Sequence, residues 1–285
     1  MDVEATREQQ RREWALSAPG WLSYRANLDA PDGRMTPRLL AAARPAPTER
    51  VLDLACGIGN PSCALAERVT PGGHVLGLDL SPDMVENARA WAERHDVPGV
   101  EFRVIPNEAE LGVPPNSFDL ATCRVGLQYM PEPVAALRAV HTALKPRGRM
   151  VATTLGSPEH CMAFRISSAV ISRHAPTPPP AASGRPGPVS LSDPEHLAAL
   201  FREAGFTGVA VDTFTTTIIE IDSPEACWRM FEETMGPMMR NLERMPEEAR
   251  AAMREDGIAT LAREFPSGPV RLGGEVLIAA GAKPA

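Results

Sequence analysis

The sequence predicts an α/β fold: a doubly wound, seven-stranded, mostly parallel sheet with helical lid insertions. Three observations predict it. From residue 50 onward, short apolar runs alternate with segments of helical period, the pattern of strands joined by crossover helices. The first of these runs is apolar almost throughout, as a strand covered on both faces must be. And 285 residues, 44% apolar and 23% charged, suffice for a sizeable core.

The elements follow in order. Residues 51–55 form the first strand, and Asn60-Pro61 puts a capping residue before a proline at the first helical position. Residues 74–79 form the second strand. Ser81-Pro82 opens a helix whose Met84, Val85, Ala88, Trp91 and Ala92 share one face. Strands at 100–105 and 118–123 come next. Val134, Leu137, Val140, His141 and Leu144 then line a helix that stops at Lys145-Pro146, because the residue before a proline avoids helical geometry. A fifth strand spans 149–154.

Residues 157–192 break the rhythm with a proline- and glycine-rich passage, read as a gate or lid because long loops in compact domains are often functional. Ser192-Asp193-Pro194-Glu195 caps the helix carrying Leu197, Leu200 and Phe201. A β-branched strand region covers 209–211 and 213–221. The helical stretch that follows, 223–265, holds Met230, Met235, Met238, Met239, Met245 and Met253 beside Trp228 and Phe231, and reads as an apolar pocket wall, with a homodimer interface as the competing use. Residues 273–280 make the last strand. The expected division is a helical cover (1–45), a ligand-binding core (46–156), the gate (157–192), the rest of the core sheet (193–222 and 271–285), and a helical insertion over the substrate pocket (223–270).

Composition narrows the function. The formal charge is −7, and no basic stripe of the kind that grips a phosphate backbone is present, so nucleic acid is not an expected partner. No run approaches the ~18 apolar residues of a membrane span. The first eight residues are polar and unlike a secretory signal, and the cysteines Cys56, Cys63, Cys123, Cys161 and Cys227 contain no CxxC pair. Together these point to a cytoplasmic protein without a disulfide framework or metal cluster.

Chemistry is concentrated in Asp53-Leu54-Ala55-Cys56-Gly57-Ile58-Gly59-Asn60 and in Asp79. Gly57 and Gly59 occupy a tight turn after the first strand, where a side chain would block a ligand. Asp79, at the end of the next strand, can accept hydrogen bonds from both hydroxyls of a ribose. A nicotinamide fingerprint would place a third glycine where Ser62 stands, and Pro61 removes an N–H from the helix end that would hold a pyrophosphate. Asp53 suits a ligand bearing positive charge. S-adenosylmethionine (SAM), with an ammonium, a sulfonium and no phosphate, meets these conditions better than a dinucleotide.

These residues resemble the class I SAM-dependent methyltransferases, most closely the UbiE-like branch that acts on small molecules. The acid-x-Gly-x-Gly-x-Gly motif appears as Asp53-x-Ala55-x-Gly57-x-Gly59, with alanine at the first glycine, expected to tighten the turn only modestly. The stretches 77–84, 116–131 and 144–150 extend the likeness, which covers residues 45–156. It implies a Rossmann-like methyltransferase fold, SAM as cofactor and a small-molecule methyl acceptor. It also implies cofactor contacts from Asp53, Ala55, Gly57, Gly59, Asp79, Leu80, Asn107, Glu108, Arg124 and Tyr24. Asn107-Glu108 aligns where the family has Asp-Ala before the adenine, so Glu108 is a substitute acceptor there. Gln128 stands where many relatives carry a histidine, which removes that base. A SAM-binding enzyme of non-methylating chemistry and an NAD(P)-dependent oxidoreductase are the alternatives.

The remaining candidates are sparse. His74, His95, His141 and His196 read as solvated, helix-ending or packed residues. His160 and His174 flank the gate and are, with Tyr24, the candidates for a catalytic base. Trp14, Trp21 and Tyr24 precede the sheet and could place an aromatic face near the sulfonium.

Overall fold

The computed structural model describes residues 2–28, 35–174, 185–235 and 245–285. The strands are β1 (Arg50–Leu54), β2 (His74–Asp79), β3 (Val100–Val104), β4 (Phe118–Arg124), β5 (Leu144–Leu155), β6 (Thr207–Ile221) and β7 (Val270–Ala282). The helices are α1 (Val3–Ser23), α2 (Arg25–Leu28), α3 (Met35–Ala43), α4 (Asn60–Val69), α5 (Pro82–Arg94), α6 (Pro133–Ala143), α7 (Met162–His174), α8 (Pro194–Glu203), α9 (Pro224–Thr234) and α10 (Glu247–Glu264). The seven strands form one sheet in the order β3-β2-β1-β4-β5-β7-β6. Strands β1 to β5 pair in parallel, whereas β7 runs antiparallel to both β5 and β6. This is the Rossmann-like methyltransferase layout. Strand order reverses at β1/β4, so the carboxyl ends of β1, β2 and β4 lie together at the edge where sheets of this topology bind ligands.

Alternation of side chains fixes what each face meets. Leu52 and Leu54 face α6 and α8 through Leu137, Val140, Leu197 and Phe201. Val51, Leu120 and Val151 face α3 and α4 through Leu39, Leu65 and Ala66. A second core joins α7, α9 and α10, where Ile166, Val170, Trp228, Met230, Phe231 and Met253 are buried together. Two of the insertion's methionines thus fill a core; Met238 and Met239 lie outside the described residues.

Several boundaries differ from expectation. Gly59, not Asn60, is the N-cap of α4, in a left-handed conformation (φ 83°). Strand β5 starts at Leu144, directly after α6, where Leu144 pairs with Phe118 before a register shift. Strand β6 runs from Thr207, two residues ahead of the expected strand region. The front of the proline-rich passage is helix α7, because Ala163, Ile166, Ser167 and Val170 recur at helical spacing and are buried. The proline run itself, within 175–184, lies outside the described residues. No described helix is long and apolar enough to cross a membrane.

Candidate functional site

The site is built from the loop between β1 and α4. Ala55 (φ 55°), Gly57 (φ 54°) and Gly59 (φ 83°) all take left-handed backbone, and the amide of Gly59 donates to the Cys56 carbonyl at 2.9 Å to close the turn. The two glycines serve different ends. A Cβ on Gly59 would lie 2.9 Å from the Phe102 ring and 3.1 Å from the Ala88 Cβ, so this glycine lets turn and sheet close. A Cβ on Gly57 would meet nothing within 4 Å, so the space above it is open. Ala55 carries a left-handed penalty of about 1–2 kcal/mol that a glycine would not, and its Cβ leaves room only for a glycine at 126.

Asp53 is wholly buried beneath the turn. The Ser62 hydroxyl donates to Oδ2 at 2.5 Å and the Thr122 hydroxyl to Oδ1 at 2.7 Å. Burial pushes its carboxyl up to about 6, against the pull of the two hydroxyls and of Arg124. Asp79 is 8% exposed; the Gly57 amide donates to Oδ2 and the Ser81 amide to Oδ1, each at 2.9 Å. Burial raises this carboxyl too, partly offset by those amides. The Leu80 amide bonds the same carboxylate, so one of its roughly four acceptor sites is left. Leu80 beside it is partly exposed, as is Arg124 at the end of β4.

Of the expected adenine pair, Asn107 is committed locally: its Oδ1 accepts from the Ala109 amide at 2.9 Å and its Nδ2 donates to Glu110 at 3.0 Å. Glu108 is buried and gripped by Arg7 of α1, with Nε donating to Oε2 at 2.9 Å and an Nη to Oε1 at 3.0 Å. The Glu132 amide donates to the same carboxylate at 3.1 Å. Glu108, expected beside an adenine, thus also ties its loop to the N-terminal helix.

That helix lies across the carboxyl edge. Trp14, Ala18 and Trp21 pack with Ile58 of the turn and Met84 of α5, and the Trp14 ring meets Tyr129 edge-on at 5.1 Å. Gln10 donates to the Tyr129 carbonyl and Asn87 to the Ala18 carbonyl. Gly20 crosses α9 so closely that a Cβ would sit 2.5 Å from the Glu233 carbonyl oxygen. Tyr24, the aromatic expected near the sulfonium, instead packs against the insertion core and beside Glu233, and burial raises its phenol. Trp14 and Trp21 take the position over the turn.

The two histidine candidates sit apart. His174 ends α7 with Nε2 2.9 Å from Asp256 of α10, in a cluster with Arg173 that holds the Asp256 carboxyl down at about 2. His160 follows β5, largely exposed, with Nδ1 3.4 Å from Glu275 of β7. Glu275 in turn presses on Gly156, where a Cβ would lie 2.4 Å from its Oε1.

Four residues with no assigned role enter the site. Ser62 and Thr122 hold Asp53; the signal was a hydroxyl at the missing third glycine, and another at the facing position of the neighbouring strand. Arg7 and Arg25 come from the N-terminal helices, and nothing local in the sequence marks them. Gln128 is 1% exposed; its Nε2 donates to the Pro188 carbonyl at 2.6 Å while Oε1 has no partner among the described residues.

Residues 46–174 match a family model described as a methyltransferase domain. The chain is 37% identical over 108 residues to a demethylmenaquinone methyltransferase of Listeria welshimeri, covering 38% of this chain and 45% of that protein. It is likewise 37% identical over 129 residues to a ubiquinone biosynthesis O-methyltransferase of Xanthomonas campestris, covering 45% and 52%. The chain thus spans about half the length of the curated relatives it matches. Similar folds include YcgJ of Bacillus subtilis (TM-score 0.56, 20% identity, 88% of this chain and 99% of that one). The cyclase SpnF is another, with TM-score 0.61, 18% identity, and 98% and 97% covered.

Proposed function

We propose that this chain is a class I SAM-dependent methyltransferase and moves a methyl group from SAM to an O, N or C atom of a small, fairly hydrophobic metabolite. The observation that carries the reading is the pair Asp53 and Asp79. Two carboxylates lie buried beside an open glycine turn, held by hydroxyls and amides, and burial raises both. A cationic, phosphate-free ligand relieves that arrangement, whereas a pyrophosphate would worsen it.

The residues present fit such a group. Asp79 keeps an acceptor site for a ribose, Leu80 offers apolar surface to an adenine, and the space over Gly57 admits the amino-acid end near Asp53. When bound, SAM supplies an electrophilic methyl on a sulfonium. The protein's part is to orient the acceptor in line and to exclude water, for which Trp14, Trp21 and Tyr129 form a roof. His160, with Glu275 at 3.4 Å, is the candidate base where the acceptor must lose a proton, because His174 is occupied with Asp256. The names of the curated relatives favour a quinone-like acceptor.

Calorimetric titration with S-adenosylhomocysteine, NAD⁺ and NADP⁺ tests the cofactor. Incubation with SAM and a panel of reduced quinones, phenols and amines then tests the transfer, since mass analysis detects a gain of one CH₂ unit. Saturable dinucleotide binding without S-adenosylhomocysteine binding would refute the proposal.

A further inference from the structure

We infer that Arg25 is a positioning residue that holds the glycine turn from its outer side, so that the N-terminal cover contributes to cofactor affinity through a buried cation. The inference rests on the cofactor reading above. Arg25 opens α2 and is 9% exposed, a depth at which a guanidinium needs partners. It finds them around the turn. An Nη donates to the Ile58 carbonyl, the guanidinium lies 4.1 Å over the Trp91 ring, and its edge reaches the Cys63 thiol in the first turn of α4. Trp91 is stacked in turn on His95, with 3.9 Å between centroids, so the platform beneath the guanidinium is itself braced.

The choice of carbonyl matters. Ile58 lies between Gly57 and Gly59, the two residues with the least intrinsic restraint on their backbone. Fixing its carbonyl fixes the plane of the 58–59 peptide, whose N–H closes the turn onto Cys56 at 2.9 Å. With that peptide set, the Gly57 amide is directed at Asp79, 2.9 Å away. A planar fork on a long stem can satisfy the carbonyl, the ring face and the thiol together, whereas an ammonium cannot. Arg25 thus acts through Ile58 and Gly57 on the carboxylate proposed to take the ribose, without touching the ligand.

The test is calorimetric titration of the full chain with S-adenosylhomocysteine, alongside hydrogen exchange of the 57–59 amides in the ligand-free protein. Arg25→Met should weaken binding about tenfold or more, the loss expected of one charge-assisted bond, and speed exchange at the turn. Arg25→Lys, which keeps charge but loses the fork, covers the case in which the methionine variant does not fold, and should also bind more weakly. Arg149→Met, which loses a partly exposed pairing with Glu49 at 2.8 Å, is the control: it should lower stability and leave affinity unchanged. Wild-type affinity in a folded Arg25 variant, or an equal loss in Arg149→Met, would overturn the inference. Failure of the wild type to bind S-adenosylhomocysteine would overturn the cofactor reading as well.

Discussion

Ala55 and Gly126 should behave as one steric unit, and a double-mutant cycle can measure it. Gly126 has φ −106° and ψ −40°, which any L-residue accepts, so its glycine is not explained by backbone conformation. A Cβ there would lie 2.4 Å from the Ala55 Cβ and 3.1 Å from the Cys123 Sγ. Carbon atoms rest about 3.5–4.0 Å apart, so the first overlap exceeds an ångström, and neither methyl has a rotamer through which to escape. Gly126→Ala should therefore cost about 2 kcal/mol, within the range for overpacking. Ala55→Gly alone should gain roughly 0.5–1 kcal/mol, the left-handed penalty less the entropy a glycine adds to the unfolded chain. In the double variant only the Cys123 contact remains tight, and the two changes should couple by about 1.5 kcal/mol. Urea unfolding of the four proteins, followed by circular dichroism, reads the cycle. Effects that add to within about 0.3 kcal/mol would refute the reasoning.

Three further outcomes are expected. Because the Asp53 carboxyl is raised from 3.8 to about 6, its contribution to stability is whole below its unfolded value and lost as pH rises through about 6. Asp53→Asn should remove that decline, exceeding the wild type by up to about 3 kcal/mol above pH 7 in urea titrations, yet bind SAM more weakly; parallel pH profiles would contradict this. Asp79→Ala should weaken S-adenosylhomocysteine binding by about 1.5–3 kcal/mol in calorimetry while the far-ultraviolet spectrum stays native. Gly20→Ala sets a methyl against a backbone carbonyl that cannot swing aside; it should cost about 1–3 kcal/mol and expose α1 to protease before the sheet.

What could be read from the sequence was local. Strands β1 to β5 announced themselves through short apolar runs, and the glycine turn with Asp79 through spacing, because each signal lies within one β-α unit. Residues whose partners come from distant elements were not legible. Arg7 meets Glu108 across 101 positions, and no local signal marks that pairing as a helix anchor. Tyr24 is the C-cap of α1, where the backbone leaves helical geometry, so it parts from the face that carries Trp14 and Trp21, and the sequence carries no clear signal of that helix end. Helix α7 was obscured because its regular apolar spacing ends where the proline run begins, and the passage was judged by its composition as a whole. Asp53 was recognised as an acid but not as a buried one, and its depth is what makes Ser62 and Thr122 necessary.

The long N-terminal helix has a kinetic corollary. At one end Arg7 fastens it to Glu108 and Glu132, and at the other Gly20 is seated on α9. The 21 residues of α1 span about 31 Å at helical rise, and Pro19 inside the helix removes one hydrogen bond of the ladder just before the Gly20 seat. On the proposed reading, a ligand that enters or leaves beneath α1 has to release one or both of these fastenings, so arrival and departure should share one slow step.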